Sequence, residues 1–188
     1  MSAQSLGKGL IILDRDGVIN EDSEAFIKNE DEWRPIPGSL EAVAALTRAG
    51  FTLAVASNQS GIARGLFDQD ALDAMHAKML RLVYEAGGHI SRIVICPHGP
   101  DDGCDCRKPK PGLLEQLARH FDTALDGVPV IGDALRDLEA AAAVNARPVL
   151  VRSGKGRKTE AELPERFADV PVYDDLAAAA RALIDEAA

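Results

Sequence analysis

Four residues that bind soft metals stand within CPHGPDDGCDC, residues 96–106. Cys96, His98, Cys104 and Cys106 offer three thiolates and an imidazole, a set suited to tetrahedral Zn²⁺. They include every cysteine of the chain. An odd, clustered number of thiols argues against a disulfide framework and for metal or redox use. Four protein ligands leave no open coordination position, so the expected zinc is structural rather than catalytic. Unligated thiols are the plain alternative; a nucleophilic cysteine is a third reading, and no base pattern accompanies it. Arg107 and Lys108 follow at once, so a zinc-tied loop would deliver two cations to a set place.

Carboxylates carry a second chemistry. DRDGVIN begins at Asp14, SNQSG at Ser57 and GDALRD at Gly132, bringing in Asp16, Asp133 and Asp137. Carboxylates from separate strands are the usual ligands of Mg²⁺, which keeps several waters and binds substrate phosphate. A calcium loop of the EF-hand type is the rival, but its glycine would fall two residues early and its bidentate Glu is missing. Taken singly, Asp and Asn after a strand are commonest as helix caps and turn formers.

The elements that must position these groups alternate. Apolar runs predict strands over 9–14, 51–57, 92–96, 128–133, 147–152 and 170–173. Helical patterns fill 37–50, 68–87, 111–121 and 135–144, and an Ala-rich helix closes the chain. This pattern predicts an α/β, Rossmann-like three-layer sandwich around a mainly parallel sheet, one domain over 1–188. Ligands bind beyond the carboxyl ends of strands in such folds. Asp14, Ser57, Cys96 and Asp133 each fall at a predicted strand end.

Composition limits the partners. A formal charge of −9 argues against a general nucleic-acid binder, while leaving room for a small phosphorylated ligand held by local cations. No run of about 18 apolar residues is present, so no membrane span is expected. MSAQSLGKG lacks the apolar stretch of a signal peptide. The expectation is a cytoplasmic monomer without a membrane partner.

DRDGVIN, SNQSGIARG, CRKPKPG and IGDALRDLEAA, in this order, resemble the four motifs of the haloacid dehalogenase superfamily of phosphatases. The C-P-H…C-x-C loop narrows the resemblance to its branch of heptose bisphosphate and histidinol phosphate phosphatases. The resemblance spans roughly residues 9–155. It implies Asp14 as nucleophile, Asp16 as acid and base, and Ser57 and Lys108 as partners of the phosphoryl oxygens. It also implies Mg²⁺ held by Asp14, Asp133 and Asp16 or the carbonyl of Arg15. Asp137 is expected to buttress Lys108 or a magnesium-bound water.

Only about twenty residues separate strand one from its helix, so no separate cap domain is expected. Specificity then falls to three loops, with Arg15, Asp22, Ser23, Glu24, Ala25, Asn58, Gln59, Ser60, Arg64 and Arg107 as substrate-binding candidates. Two departures concern this region: Ala134 stands where some members carry a lysine that touches substrate, and EDSEAFIKN (21–29) lacks their usual Asp-His-Gly-Tyr type of sequence. The RSGKGRKT stretch (152–159) reads as a solvated surface loop, with Lys155 a possible second-phosphate contact. His76, His89 and His120 show no partner pattern, Met75 and Met79 read as core, and Trp33 as a packed loop anchor.

The implied reaction is hydrolysis of the 7-phosphate of a heptose 1,7-bisphosphate, a precursor step for lipopolysaccharide. Histidinol phosphate or another small sugar phosphate is the alternative substrate. A receiver-like module phosphorylated on aspartate is the rival of another class. Asp16 separates the two, because an acid–base group two residues from the nucleophile promotes turnover.

Overall fold

The computed structural model describes residues 6–188, so the first five residues of the N-terminal segment read above lie outside the described residues. Six parallel strands form one sheet: β1 (Leu10–Leu13), β2 (Thr52–Asn58), β3 (Arg92–Cys96), β4 (Pro129–Gly132), β5 (Arg147–Val151) and β6 (Val172–Tyr173). Their order is β3-β2-β1-β4-β5-β6. The helices are α1 (Ser39–Arg48), α2 (Gln69–Glu85), α3 (Gly112–Phe121), α4 (Leu135–Ala143), α5 (Gly156–Ala161) and α6 (Leu176–Glu186).

Period-two alternation along each strand divides the core into two layers. Ile11, Leu13, Leu53, Val55, Ile131 and Val149 face α1, α2 and α6, whose Leu46, Met75, Met79 and Leu183 pack against them. Leu10, Ile12, Ala54, Ala56 and Val130 face the other way, onto Leu113, Leu117 and Phe121 of α3 and Ala140 and Ala141 of α4. Both faces of β1 are covered, which is why LIIL reads as an unbroken apolar run. Met75 and Met79 are core, and Trp33 is fully buried as a loop anchor.

Local signals account for the helix ends. Asp68 accepts the backbone N–H of Ala71 at 2.9 Å and Asp175 that of Ala178 at 2.8 Å, capping α2 and α6. Ser39, at the start of α1, spends its hydroxyl elsewhere: it donates to the Ile19 carbonyl at 2.6 Å and pins the loop after β1.

The strand order places the site. From β1 the chain winds outward through β2 and β3, then returns to β4 and winds the other way. The loops after β1 and β4 therefore diverge and leave a crevice at their carboxyl ends. Asp14 and Asp133 stand on its two sides. The connections β1–α1 and β3–α3 hold no helix or multi-residue strand, so nothing separate caps the crevice.

The expectation for the 152–159 stretch is met only in part. The stretch is at the surface, with Gly154, Lys155, Arg157 and Lys158 exposed, but it is not only a loop: α5 begins inside it, and Gly156 is buried. Ser153 Oγ donates to the Gly17 carbonyl at 2.7 Å, the Lys155 N–H to Asp133 Oδ2 at 2.8 Å, and Thr159 Oγ1 to the Asp133 carbonyl at 2.8 Å. One face of the stretch thus closes on Gly17 and the buried Asp133 while its charged side chains stay in water, a double role composition does not signal.

Candidate active site

Asp14 follows β1 and is buried at the floor of a cavity of about 190 Å³. Its Oδ1 accepts the Arg15 N–H at 2.8 Å and lies 3.1 Å from Lys108 Nζ. Lys108 is itself buried, 2.6 Å from Asp137 Oδ1, and donates to the Ala56 carbonyl at 2.8 Å. Burial alone would depress its pKa, but Asp137 and Asp14 outweigh that effect and raise it. A permanent cation thus sits beside Asp14. Asp137 also accepts the Ala134 N–H at 3.1 Å, so it joins the start of α4 to the lysine.

Asp14, Asp133 and Asp137 can each offer an oxygen, all within 4.8 Å of one another. Burial, then Asp14 and Asp137, push Asp133 up to about 8; burial is also the main cause that takes Asp14 up to about 6. Asp133 Oδ1 is buried and has no hydrogen-bond partner among the described residues. Crowded carboxylates with an orphaned oxygen fit a divalent cation. Glycines allow the enclosure: a Cβ on Gly17 (φ +83°) would meet Asp133 Oδ2 at 2.1 Å, and one on Gly154 (φ +57°) at 2.3 Å.

Asp16 departs from its sequence reading. Its carboxylate lies outside the acidic cluster and is instead held from three sides. Arg15 grips it through Nε at 2.9 Å and Nη2 at 3.1 Å, Asn20 donates at 2.8 Å, and Gln59 Nε2 donates at 3.0 Å. Burial opposes ionisation, yet Arg15 and these hydrogen bonds hold its pKa below the ordinary value. A side chain so engaged is not placed as a magnesium ligand.

Arg15 likewise is not a wall of the cavity. It is fully buried, with its guanidinium turned onto Asp16, Gln59 Oε1 (3.3 Å) and His76 Nε2 (3.3 Å). Burial and Arg15 lower the His76 pKa to about 4, so the ring is neutral and accepts from the guanidinium. No local pattern on α2 marks His76, because its partner lies 61 positions away.

Ser57, Asn58, Gln59, Ser60, Arg64, Arg107, Asp22, Ser23 and Glu24 all line the cavity; Ala25 does not. Several are already engaged. Asn58 is clipped to Lys108 in both directions, Nδ2 donating to its carbonyl at 3.1 Å and Oδ1 accepting its N–H at 3.0 Å. Gln59 Nε2 also donates to Ser57 Oγ at 2.9 Å. Asp22 pairs with Lys155 at 3.1 Å. Phe26, Ile27, Arg136 and Lys155 complete the lining. Of these, Phe26, Ile27 and Arg136 were absent from the sequence expectations.

Beyond the end of β3, the Cys96, His98, Cys104 and Cys106 ligand atoms also lie within 4.8 Å of one another. Cys96 Sγ is 3.6 Å from His98 Nδ1, 3.6 Å from Cys104 Sγ and 3.1 Å from Cys106 Sγ. A tetrahedral Zn²⁺ with sulfur ligands implies S···S separations of about 3.8 Å, so a small adjustment would accommodate the ion. Burial and Cys106 push the Cys96 thiol up to about 12, so without a cation Cys96 keeps its proton. At Cys104 burial is outweighed by hydrogen bonds from the Arg107 backbone and the neighbouring thiols, which bring it down to about 7. Arg107 leaves the cluster and donates to the His98 carbonyl at 3.2 Å, which aims it at the cavity.

A parallel sheet with paired aspartates after its first strand, a buried lysine beside the first of them and an acidic cluster at the switch point defines a phosphatase of haloacid dehalogenase type. The HAD-hydrolase-like family model matches residues 105–179. D-glycero-β-D-manno-heptose-1,7-bisphosphate 7-phosphatases of Pseudomonas putida and Pseudomonas aeruginosa are 58% and 57% identical to the chain. The matches cover 93% and 95% of it and 99% of each relative. The D,D-heptose 1,7-bisphosphate phosphatase of Bordetella bronchiseptica, solved with magnesium and phosphate, superposes with a TM-score of 0.91. It is 55% identical, over 95% of this chain and 99% of that one. The chain belongs to the family of heptose bisphosphate phosphatases.

Proposed function

We propose that the chain hydrolyses the 7-phosphate of D-glycero-β-D-manno-heptose 1,7-bisphosphate through a phosphorylated Asp14. The observation that carries this is the pairing of Asp14 Oδ1 with the buried Lys108 Nζ at 3.1 Å, on the floor of a cavity that four further cations line. The Asp14 carboxylate attacks phosphorus in line with the sugar oxygen, and the P–O7 bond breaks. Asp16, ionised in the free protein, takes up a proton as the anionic substrate enters, gives that proton to the departing oxygen, and then takes one from the water that cleaves the acyl phosphate. Its three-sided grip supplies the orientation both steps need. Ser57 Oγ already accepts from Gln59, so its own hydrogen is free for a phosphoryl oxygen. Lys108 balances the charge of the transferring group.

The donor set of Asp14, Asp133 and Asp137 suits Mg²⁺, which would neutralise phosphoryl oxygens when bound. Cys96, His98, Cys104 and Cys106 would hold Zn²⁺ as a tie for the Arg107–Lys108 segment. The B. bronchiseptica relative carries magnesium and phosphate, which supports the first assignment.

Histidinol phosphate would bring a cationic amine and call for free acid in the pocket. Asp22, one of the candidate acids, is instead neutralised by Lys155. The decisive experiment compares kcat/KM for heptose 1,7-bisphosphate, heptose 7-phosphate and histidinol phosphate, with Asp14→Asn as the inactive control. The bisphosphate is expected to lead by at least about tenfold, as remote phosphate binding supports the reacting end. Equal or faster turnover of either monophosphate rejects the assignment.

A further inference from the structure

Arg136 stands one residue into α4, directly beyond the Asp133 switch-point loop, and lines the cavity. It differs from every other cation there. Arg107 spends Nη1 on the His98 carbonyl, Lys155 is paired with Asp22, and Arg64 lies over the Phe26 ring at 5.5 Å. Arg136 has no hydrogen bond or ion pair among the described residues, and its Nε is fully buried without an acceptor. An arginine N–H left unsatisfied away from water is costly unless a ligand completes it.

Its surroundings keep it charged. Burial works against the guanidinium, but Asp137, Asp14, Asp133 and Asp22 together raise its pKa. The oxygens of the phosphoryl group on Asp14 already have Lys108, Ser57 and the cation suited to Asp133. Arg136 shares its side of the cavity with Asp22 and Lys155, the two residues that tie the loop after β1 to the segment before α5. At Ala134, the residue next to Asp133, the side chain has no reach and no charge. A planar guanidinium two positions on offers paired donors that match a phosphate edge.

We infer that Arg136 is a substrate-binding residue that docks the phosphate which is not hydrolysed, fixing which end of a bisphosphate reaches Asp14. This rests on the reading of the substrate as a sugar bisphosphate. In the free protein the guanidinium is held ready, without a competing ion pair to break. Arg64, Arg107 and Lys155 then add charge around the same phosphate.

The test measures kcat/KM of wild type, Arg136→Gln and Arg136→Lys on heptose 1,7-bisphosphate and on heptose 7-phosphate, with thermal melts of each variant. Loss of a charged, bidentate contact is expected to lower the bisphosphate value about 30-fold in Arg136→Gln, mostly through KM. Turnover of the 7-phosphate should change less than about threefold, since only the retained phosphate is touched. Arg136→Lys keeps the charge without the fork and should show the same selective loss, about tenfold; it also carries the test if the glutamine variant does not fold. Equal losses on both substrates, or a preserved preference for the bisphosphate, overturn the role of Arg136 alone. A wild-type enzyme with no preference for the bisphosphate overturns the substrate reading and this one together.

Discussion

The role proposed for Asp16 depends on the side chains that hold it still. Arg15, Asn20 and Gln59 saturate its carboxylate, and His76 in turn accepts from Arg15. The aspartate was visible as the second acid of DRDGVIN; its clamp was not, because the members come from the loops after β1 and β2 and from α2. His76 supplies a measurable consequence. Its folded pKa, about 4, lies below the unfolded value near 6.5. As pH falls through 6.5 the unfolded chain binds a proton that the folded chain refuses, so stability declines until about pH 4. We expect urea unfolding to show a loss of about 2–3 kcal/mol from this residue between those limits. In His76→Gln, which keeps an acceptor for Arg15 but cannot titrate, that part of the slope should vanish. An unchanged pH profile in the variant would remove His76 from the account.

At the scale of elements, the loop between β3 and α3 joins a cluster that could hold a metal ion to the cations beside Asp14. The four ligands sit on one side of it and Lys108 on the other, with the Asn58 amide locking the lysine's backbone to the end of β2. Cys106 directly precedes Arg107, so a loosened ligand displaces both cations. Cys106→Ser is expected to lose zinc, to melt at lower temperature and to drop in kcat/KM by about 10- to 100-fold, although no acid of the site is altered. Elemental analysis together with steady-state kinetics checks this. Full activity in protein shown to be free of zinc would refute the positioning role. The segment before α5 is the counterpart on the other flank. Its glycine and backbone N–H close on Asp133, and the pattern of RSGKGRKT resembled a surface loop because such main-chain contacts leave little trace in side-chain composition.

For the whole molecule, the sheet forces three carboxylates together, and their mutual repulsion is a cost that a bound divalent cation relieves. Burial first, and then this repulsion, take Asp133 up to about 8 and Asp14 up to about 6, the latter against the pull of Lys108. Mg²⁺ at about 100 times its dissociation constant should add about 2.7 kcal/mol to stability. A chain of this size then melts about 5–10 °C higher. Thermal melts with and without Mg²⁺ read the shift directly, and Asp133→Asn should abolish most of it while leaving the zinc content unchanged. If the variant keeps the full shift, the ion binds elsewhere.

Strand and helix order, the Cys₃His cluster and the motif aspartates were legible in the sequence because each depends on near neighbours: a period of two or 3.6, a cap, a short spacing. RIVIC at 92–96 coincides with β3 for that reason. Even the buttress of Lys108 by Asp137 was expected, since the motifs imply it. The tertiary structure alone decided which polar groups face the cavity and which face each other. It turned Arg15 inward, gave Asp16 to a clamp rather than to the acidic cluster, enclosed Asp133 with the 152–159 segment, and left Arg136 unpaired on the cavity wall. These choices are settled by partners tens of residues apart competing for a few buried donors and acceptors, and that competition begins only when the sheet has brought the strand ends together.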